Sequence, residues 1–281
     1  MKTVRTVAEL RAQVSEWRRA GQRIAFAPTM GNLHAGHLKL IASGHKLADR
    51  VVSSVFVNPL QFGPTEDFGR YPRTLPDDQR RLESVNCDLL FAPTVDEMYP
   101  NGREHLCQVS LPHYSTILEG HFRPGHFDGV TTVVSILFNQ VQPDVALFGE
   151  KDYQQLLVIR RMVSDLHMNI EIVGVPTERE ADGLAMSSRN QYLGAQERQT
   201  AAVIHATLQD VAGALRAGNR DFPAICAQGL QRLQAAGFQP QYLEVRNPRL
   251  DPPGAQDEAF VVLLAAFLGK TRLIDNLIVK L

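Results

Sequence analysis

Two histidines, His34 and His37, stand three residues apart with Ala35 and Gly36 between them. In the first turn of a helix that spacing puts both imidazoles on one face. A helix N-terminus adds unpaired N–H groups and the positive end of a dipole, so such a face could hold phosphate. Gly36 carries no Cβ, and a flat ring could approach the backbone there. Further along, Lys151 could bind phosphate as a mobile point charge. Asp152 could accept from ribose hydroxyls or cap a helix. Ser187 and Ser188 beside Arg189 make a set of donors suited to clamping phosphate. Gln61 could donate and accept hydrogen bonds to a small polar substrate. Gln155, three residues after Asp152, would return to the same helical face. Each group also has a plain reading: surface histidines at a helix start, a solvated loop glutamine, a capped helix, a polar surface loop.

These residues sit at joints between elements. Ile24 to Ala27 reads as a strand, Pro28 to Asn32 as a tight loop, and His34 to about Asp49 as a helix. Arg50 to Val57 is β-branched and almost continuously apolar, the pattern of a strand buried on both faces. Gln61 follows its carboxyl end, where open α/β sheets bind ligands. The pattern then predicts a helix over Pro76–Ser84, strands over Cys87–Ala92 and near Cys107–Ser110, and a buried helix over Val130–Gln140. Pro143 to Phe148 is a strand that runs into Gly149, Glu150, Lys151 and Asp152, with a helix from Tyr153 through Leu166 and a strand over Ile170–Val175. An amphipathic helix over residues 6–20 precedes them all, with Val7, Leu10, Val14 and Trp17 on one stripe.

Alternating strand and helix to residue 176 implies a doubly wound parallel sheet, an α/β, Rossmann-like domain. Pro176 marks the boundary, and residues 177–281 change style. Helices are expected over Ala195–Ala217 and Phe222–Ala236, and antiparallel strands over Gln241–Val245, Phe260–Phe267 and Thr271–Asn276, a smaller α+β domain. In the first domain, the run from Glu119 to Val130 is rich in Gly, His and aromatic residues and reads as a functional loop. A metal site from His121, His126 and Asp128 is the weaker reading of that run, because no carboxylate–histidine pair has a familiar spacing.

The 281 residues are 44% apolar, enough for a sizeable core in one large or two modest domains. A formal net charge of −1 gives no global basic excess for nucleic acid or an acidic membrane. Cys87, Cys107 and Cys226 are few, odd in number and lack metal spacing, which fits free thiols in a reducing cytoplasm. The N-terminus has no apolar signal region, and no uncharged apolar run is long enough to span a membrane.

The segment His34-Ala35-Gly36-His37 resembles the HIGH motif of the nucleotidylyltransferase superfamily, with Ala35 in place of Ile. Met-Ser-Ser-Arg-Asn at 186–190 resembles a KMSKS-type loop, with Arg189 where that motif carries its second lysine. An ordered set of matches then runs along the chain: APTMGNLHAGH, SVFVNPLQFGPTEDFGRYPRT, RPGHFDGV, FGEKDYQQL and READGLAMSSRN. Together they resemble the signatures of the pantothenate synthetase (pantoate–β-alanine ligase) family over nearly all of the first 193 residues.

That resemblance implies an ATP-dependent, Mg²⁺-requiring condensation of pantoate with β-alanine through an enzyme-bound pantoyl adenylate. It implies an ATP loop of Met30, Gly31, Asn32, Leu33, His34, Ala35, Gly36 and His37. A second ATP segment is Gly149, Glu150, Lys151 and Asp152, and a third is Met186, Ser187, Ser188 and Arg189. His34, His37, Lys151, Ser187, Ser188 and Arg189 would be the catalytic set. His37 matches the family's proton-donor position, but pantoate already arrives as a carboxylate, so stabilising charge on phosphorus is the simpler role. Gln61 and Gln155 would hold pantoate, and Gln61 also β-alanine. Residues 1–176 would bind ATP and pantoate, and residues 177–281 would form a lid carrying the Met186–Asn190 loop. Glu178 departs from the neutral residue expected there, and its side chain is assigned no role. The Mg²⁺ ligands stay open; Asp77 and Asp78 are candidates, or simply begin a helix. A cytoplasmic homodimer is implied as well, without nucleic acid or membrane partners. The competing readings are another small-molecule nucleotidylyltransferase, which would need a basic pocket for a second phosphate, and a non-catalytic ATP-binding sensor on the same fold.

Overall fold

Ile24 and Phe26 alternate with Ala25 and Ala27, and all four are fully buried. A strand that is apolar on both faces belongs inside a parallel sheet covered by helices on each side. The computed structural model places it there, and describes residues 1–64 and 66–281. Thr65, inside the segment SVFVNPLQFGPTEDFGRYPRT, lies outside the described residues.

In chain order the first elements are β1 (Lys2–Val4), α1 (Val7–Arg19), β2 (Ile24–Thr29), α2 (Ala35–Gly44), β3 (Arg50–Val55), α3 (Leu75–Ser84) and β4 (Leu89–Phe91). Short helices α4 (Val95–Met98) and α5 (Glu119–Phe122) precede α6 (His126–Val141), β5 (Val145–Gly149), α7 (Tyr153–Asp165) and β6 (Glu171–Val175). Among the described residues, six strands form one sheet in the order β1-β4-β3-β2-β5-β6, and every pairing is parallel. Ile24 and Phe26 pack with residues of α1, α6 and α7. Ala25 and Ala27 pack with Leu40 and Ile41 of α2 and Leu82 of α3 on the other face. The strand order reverses at β2, between β3 and β5, so the crevice at its carboxyl end is the switch point where such sheets take ligands.

Then come α8 (Ala195–Thr200), α9 (Val203–Arg216), α10 (Phe222–Ala235) and an antiparallel sheet of β7 (Gln239–Arg246), β8 (Ala259–Leu268) and β9 (Thr271–Lys280). Leu208, Val211 and Leu215 of α9 and Leu233 of α10 pack on Phe260, Val262 and Leu264 of β8 as a separate core. Contacts divide the chain into a first unit, Met1–Glu150 with Gln155–Pro176, and a second, Lys151–Gln154 with Thr177–Leu281.

The structure corrects several sequence expectations. No strand forms over Cys107–Ser110. The Val109 N–H instead donates to Thr132 Oγ1 at 3.0 Å and its carbonyl accepts from Thr131 Oγ1, so two threonines of α6 take the place of a neighbouring strand. The helix expected over Ala195–Ala217 is two helices. Ala201 and Ala202 keep right-handed helical angles, but Ile204 N–H donates to the Ala201 carbonyl, a tightened turn rather than a continued α-helix. α2 stops at Gly44, short of Asp49, and α6 starts at His126, ahead of Val130. β1, too short to show a period, pairs with β4 at the sheet edge.

Candidate active site

The loop after β2 is shaped by one buried carboxylate. Asp78, in the first turn of α3 and 1% exposed, accepts from the N–H of Leu33 at 2.8 Å, the N–H of Asn32 at 3.1 Å and Thr74 Oγ1 at 3.1 Å. A carboxylate accepts and never donates when ionised, so three donors suit it. Gly31 sits at φ +83°, and a Cβ there would stand 3.0 Å from Asp78 Oδ2 and from Val55 Cγ1. Only glycine lets the chain pass that close in that conformation. Asn32 follows at φ 50°, a left-handed turn that asparagine tolerates. The Thr29 hydroxyl donates to the Ser54 carbonyl at 2.7 Å and accepts from the Gly31 N–H at 3.2 Å. The N–H groups of Asn32 and Leu33 are therefore engaged by Asp78. The sequence reading offered Asp78 as a metal ligand or a helix start, and missed its grip on this loop.

α2 then begins at Ala35. The His34 and His37 rings lie 4.1 Å apart between centroids. His37 Nδ1 accepts from the His34 backbone N–H at 3.3 Å. In the neutral ring that leaves Nε2 as the nitrogen carrying the proton.

Gln61 lies in a 3-10 turn, Pro59–Gln61, just past β3. It is buried, and its amide nitrogen donates to Met30 Sδ at 3.0 Å, which joins the two predicted segments. Asn58, buried and missed by the sequence reading, donates to Gln61 Oε1 at 3.2 Å and to the Gly129 carbonyl at 3.1 Å. The Tyr99 hydroxyl donates to Asn58 Oδ1 at 2.7 Å, and burial pushes that phenol's pKa up. Gly129 is required by contact: a Cβ there would strike the Leu60 carbonyl and stand 2.7 Å from the Gln61 nitrogen. Glycine at this position and an amide at the carboxyl end of β3 were the available signals for Asn58.

Behind Gln61 stands a charged clamp. His126 Nδ1 meets the Gln61 carbonyl at 2.8 Å, and its Nε2 meets Arg123 Nη1 at 3.0 Å. A carbonyl only accepts and a guanidinium only donates, so His126 carries its proton on Nδ1 and is neutral. Burial first, then the Arg123 charge, holds its pKa down at about 4. Arg123 pairs two-pronged with Glu66, both contacts at 2.7 Å. The metal reading of His121, His126 and Asp128 is thereby corrected: His126 has both nitrogens engaged, and Asp128 accepts from Ser110 at 2.7 Å and Ser115 at 3.4 Å. Among the described residues no group of three or more His, Cys, Asp or Glu side chains could hold a metal ion. Asp77 is exposed and ion-paired with Arg80.

β5 ends at Gly149, and Glu150–Asp152 form a 3-10 turn before α7. Gly149, Glu150 and half-buried Gln155 belong to the first unit. Lys151 and Asp152 belong to the second. Lys151 Nζ lies 3.9 Å from Asp152 Oδ1.

In the second unit, Glu178 to Met186 folds back on itself. Met186 N–H donates to the Glu178 carbonyl at 2.9 Å and Glu180 N–H to the Leu184 carbonyl at 2.8 Å. Gly183 makes the turn at φ +90°, where a Cβ would strike the His205 ring. Burial, then the Arg179 charge, lowers the His205 pKa. Ser187 caps the turn that follows, its hydroxyl accepting from the Arg189 N–H at 3.2 Å. Met186, Ser187, Ser188 and Arg189 are all half-buried there.

Comparison with known proteins gives one answer at three levels. Residues 2–278 match the family model described as pantoate-beta-alanine ligase. A pantothenate synthetase of Pseudomonas putida (strain W619) is 57% identical, over 100% of this chain and 98% of that protein. The crystal structure of a pantothenate synthetase from Thermus thermophilus aligns with a TM-score of 0.92 at 47% identity, covering 99% of each chain. The pantoate-beta-alanine ligase from Francisella tularensis, complexed with beta-gamma ATP and beta-alanine, aligns with a TM-score of 0.82 at 32% identity, over 99% of this chain and 97% of that one.

Proposed function

The chain belongs to the pantoate–beta-alanine ligase family, and from that premise we propose that its own residues perform the ligation in two steps. A carboxylate is a poor acyl donor. The pantoate carboxylate therefore attacks the α-phosphorus of ATP, the bond to pyrophosphate breaks, and pantoyl adenylate forms. The amine of β-alanine then attacks the acyl carbon, the bond to AMP breaks, and pantothenate is released.

Charge in the first step spreads over phosphate oxygens, and positioned donors and cations are worth roughly 3 kcal/mol each at such sites. His37, with its proton on Nε2, and His34 beside it donate to phosphate. Lys151, Ser187, Ser188 and Arg189 act on the same phosphates, and Asp152 holds the ribose. The loop's contribution is its shape and its two rings rather than the N–H groups of Asn32 and Leu33, which Asp78 occupies. Gln61 and Gln155 bind pantoate, and Gln61 also meets β-alanine; an amide grips hydroxyl and carboxylate without competing as a nucleophile. The single observation that carries this reading is the 3.0 Å contact between Gln61 Nε2 and Met30 Sδ. It sets the amide that takes the acid beside the loop that takes the nucleotide, as attack on the α-phosphorus requires.

Mg²⁺ in this reading is part of the nucleotide substrate. The described residues offer no cluster for a resident ion, and Mg²⁺ commonly rides on substrate phosphates with most of its waters kept. Among the described residues no helix is long and apolar enough to cross a membrane. A cytoplasmic homodimer completes the proposal, and sedimentation of the purified protein measures the second half of it.

The deciding experiment follows AMP from ATP and pantoate, with and without β-alanine. AMP and pantothenate in equal amounts, only with all three substrates, are expected. Pyrophosphate release of about one turnover with pantoate alone would mark a retained adenylate. ATP binding with no turnover would sink the proposal in favour of a sensor.

A further inference from the structure

Strand β9 carries two adjacent buried polar residues, Asp275 and Asn276, 3% and 5% exposed. A buried carboxylate and amide on a small sheet are costly unless something is gained from their partners. Asn276 Nδ2 donates to the backbone carbonyl of Lys151 at 2.7 Å. Asp275 takes the Arg179 guanidinium two-pronged, at 2.7 and 3.0 Å. The same guanidinium donates to the Gly183 carbonyl at 3.0 Å and to the Asn276 carbonyl at 3.2 Å. Arg179 and Gly183 form the fold-back that leads straight into Met186–Arg189, and Ala185 bridges Arg179 across it. The Tyr153 hydroxyl adds a second tether, donating to the Pro248 carbonyl at 3.0 Å. The short segment Lys151–Gln154 is thus fastened to the second unit although its strand, β5, belongs to the first.

We propose that Asp275 and Asn276 are positioning residues, which tie the Lys151 turn and the Met186–Arg189 loop to one strand and so fix one phosphate-binding cation relative to the other. This rests on the assignment of Lys151 and Ser187–Arg189 to the nucleotide's phosphates. A lysine ammonium rides on a flexible stem, so its placement depends on where its backbone is pinned. Asn276 pins that backbone. Asp275 pins the turn at the base of the Met186–Arg189 loop through a guanidinium whose planar fork admits one geometry.

The test is a double-mutant cycle in the full-length protein, read as the Kd for ATP by titration. Asn276→Ala is expected to weaken ATP by about fivefold, the loss of one hydrogen bond's net worth. In a Lys151→Ala background it should cost less than about twofold, because a residue acting through Lys151 has nothing left to position. Pantoate affinity of Asn276→Ala should stay near that of the parent, while its melting temperature falls by a few degrees for the lost hydrogen bond. Asp275→Asn with Arg189→Ala is expected to show the same non-additivity. If Asn276→Ala does not fold, Asn276→Asp keeps the shape, turns the donor into an acceptor facing the Lys151 carbonyl, and carries the same comparison. A strong Lys151→Ala effect with an independent, additive Asn276 effect, or none, overturns the inference alone. Lys151→Ala without effect on ATP binding overturns the underlying assignment, and the inference with it.

Discussion

Asp78 is buried against two backbone N–H groups and one hydroxyl, so its replacement separates shape from charge. Asp78→Ala strands both N–H groups, at about 1–3 kcal/mol each, and is expected to destabilise by about 3 kcal/mol in urea. Asp78→Asn keeps one acceptor and should cost about 1–2 kcal/mol while raising the KM for ATP on the order of tenfold, since a small misplacement of a reacting loop is costly. A KM unmoved by Asp78→Asn would show that the loop keeps its shape without this carboxylate. His126 makes a pH prediction. The unfolded chain's histidine takes a proton near pH 6.5, and the native one near 4, so between those values the unfolded state binds the extra proton. The stabilisation from a neutral His126 is full above about pH 6.5, falls as pH drops, and is gone below about pH 4. At 1.36 kcal/mol per pH unit the window holds about 3 kcal/mol. Urea midpoints between pH 7 and 4.5 should fall more steeply in the parent than in His126→Asn; parallel curves would remove the histidine from the account. The motif residues could be proposed from sequence at this scale because their types are set by the chemistry they would do. Asp78 and His126 were not, because a carboxylate in a first helical turn and a histidine in a Gly-rich loop acquire their roles only through distant partners.

At the scale of elements, α6 and the 3-10 turn bearing Gln61 meet through a missing side chain. Gly129→Ala would drive a methyl into the Leu60 carbonyl, and backbone cannot swing aside as a side chain tip does. The turn must move, and Asn58, Gln61 and the His126 contact move with it. The expected result is a loss of stability of about 2 kcal/mol and a fall in kcat/KM for pantoate of more than about tenfold, read by steady-state kinetics beside a melt. Gly213, inside α9 with nothing near its would-be Cβ, is the contrast. Gly213→Ala should stabilise by about 0.5–1 kcal/mol and leave kinetics alone. Equal behaviour of the two variants would mean that the close approach at Gly129 carries no weight. Element boundaries were legible to within a residue in α1 and β8, where the apolar period was long, but β2 runs on through Pro28 and Thr29, read from sequence as loop. They failed where side chains of another element supplied the hydrogen bonds, as Thr131 and Thr132 do for Val109, and where three residues, as in β1, are too few to show a period.

Over the whole molecule, the style change after Pro176 was readable because alternating strand and helix gave way to an α+β pattern. The assignment of Lys151–Gln154 to the second unit was not readable, because hydrogen bonds from Asn276 and Tyr153 join residues about a hundred positions apart in sequence. The first unit's sheet has a core on each face, and the second unit's core is built from other residues, between α9, α10 and β8. A core substitution leaves a cavity whose cost, about 2–5 kcal/mol for Leu→Ala, falls on the unit that contains it. Two separate cores make a single all-or-none transition the special case rather than the rule. Calorimetry of the intact chain is therefore expected to show two heat-absorption components. Leu208→Ala, fully buried in the second core, should lower one of them by several degrees. Leu89→Ala, fully buried in the first, should lower the other. If either substitution moves a single undivided transition, the two cores unfold as one cooperative body.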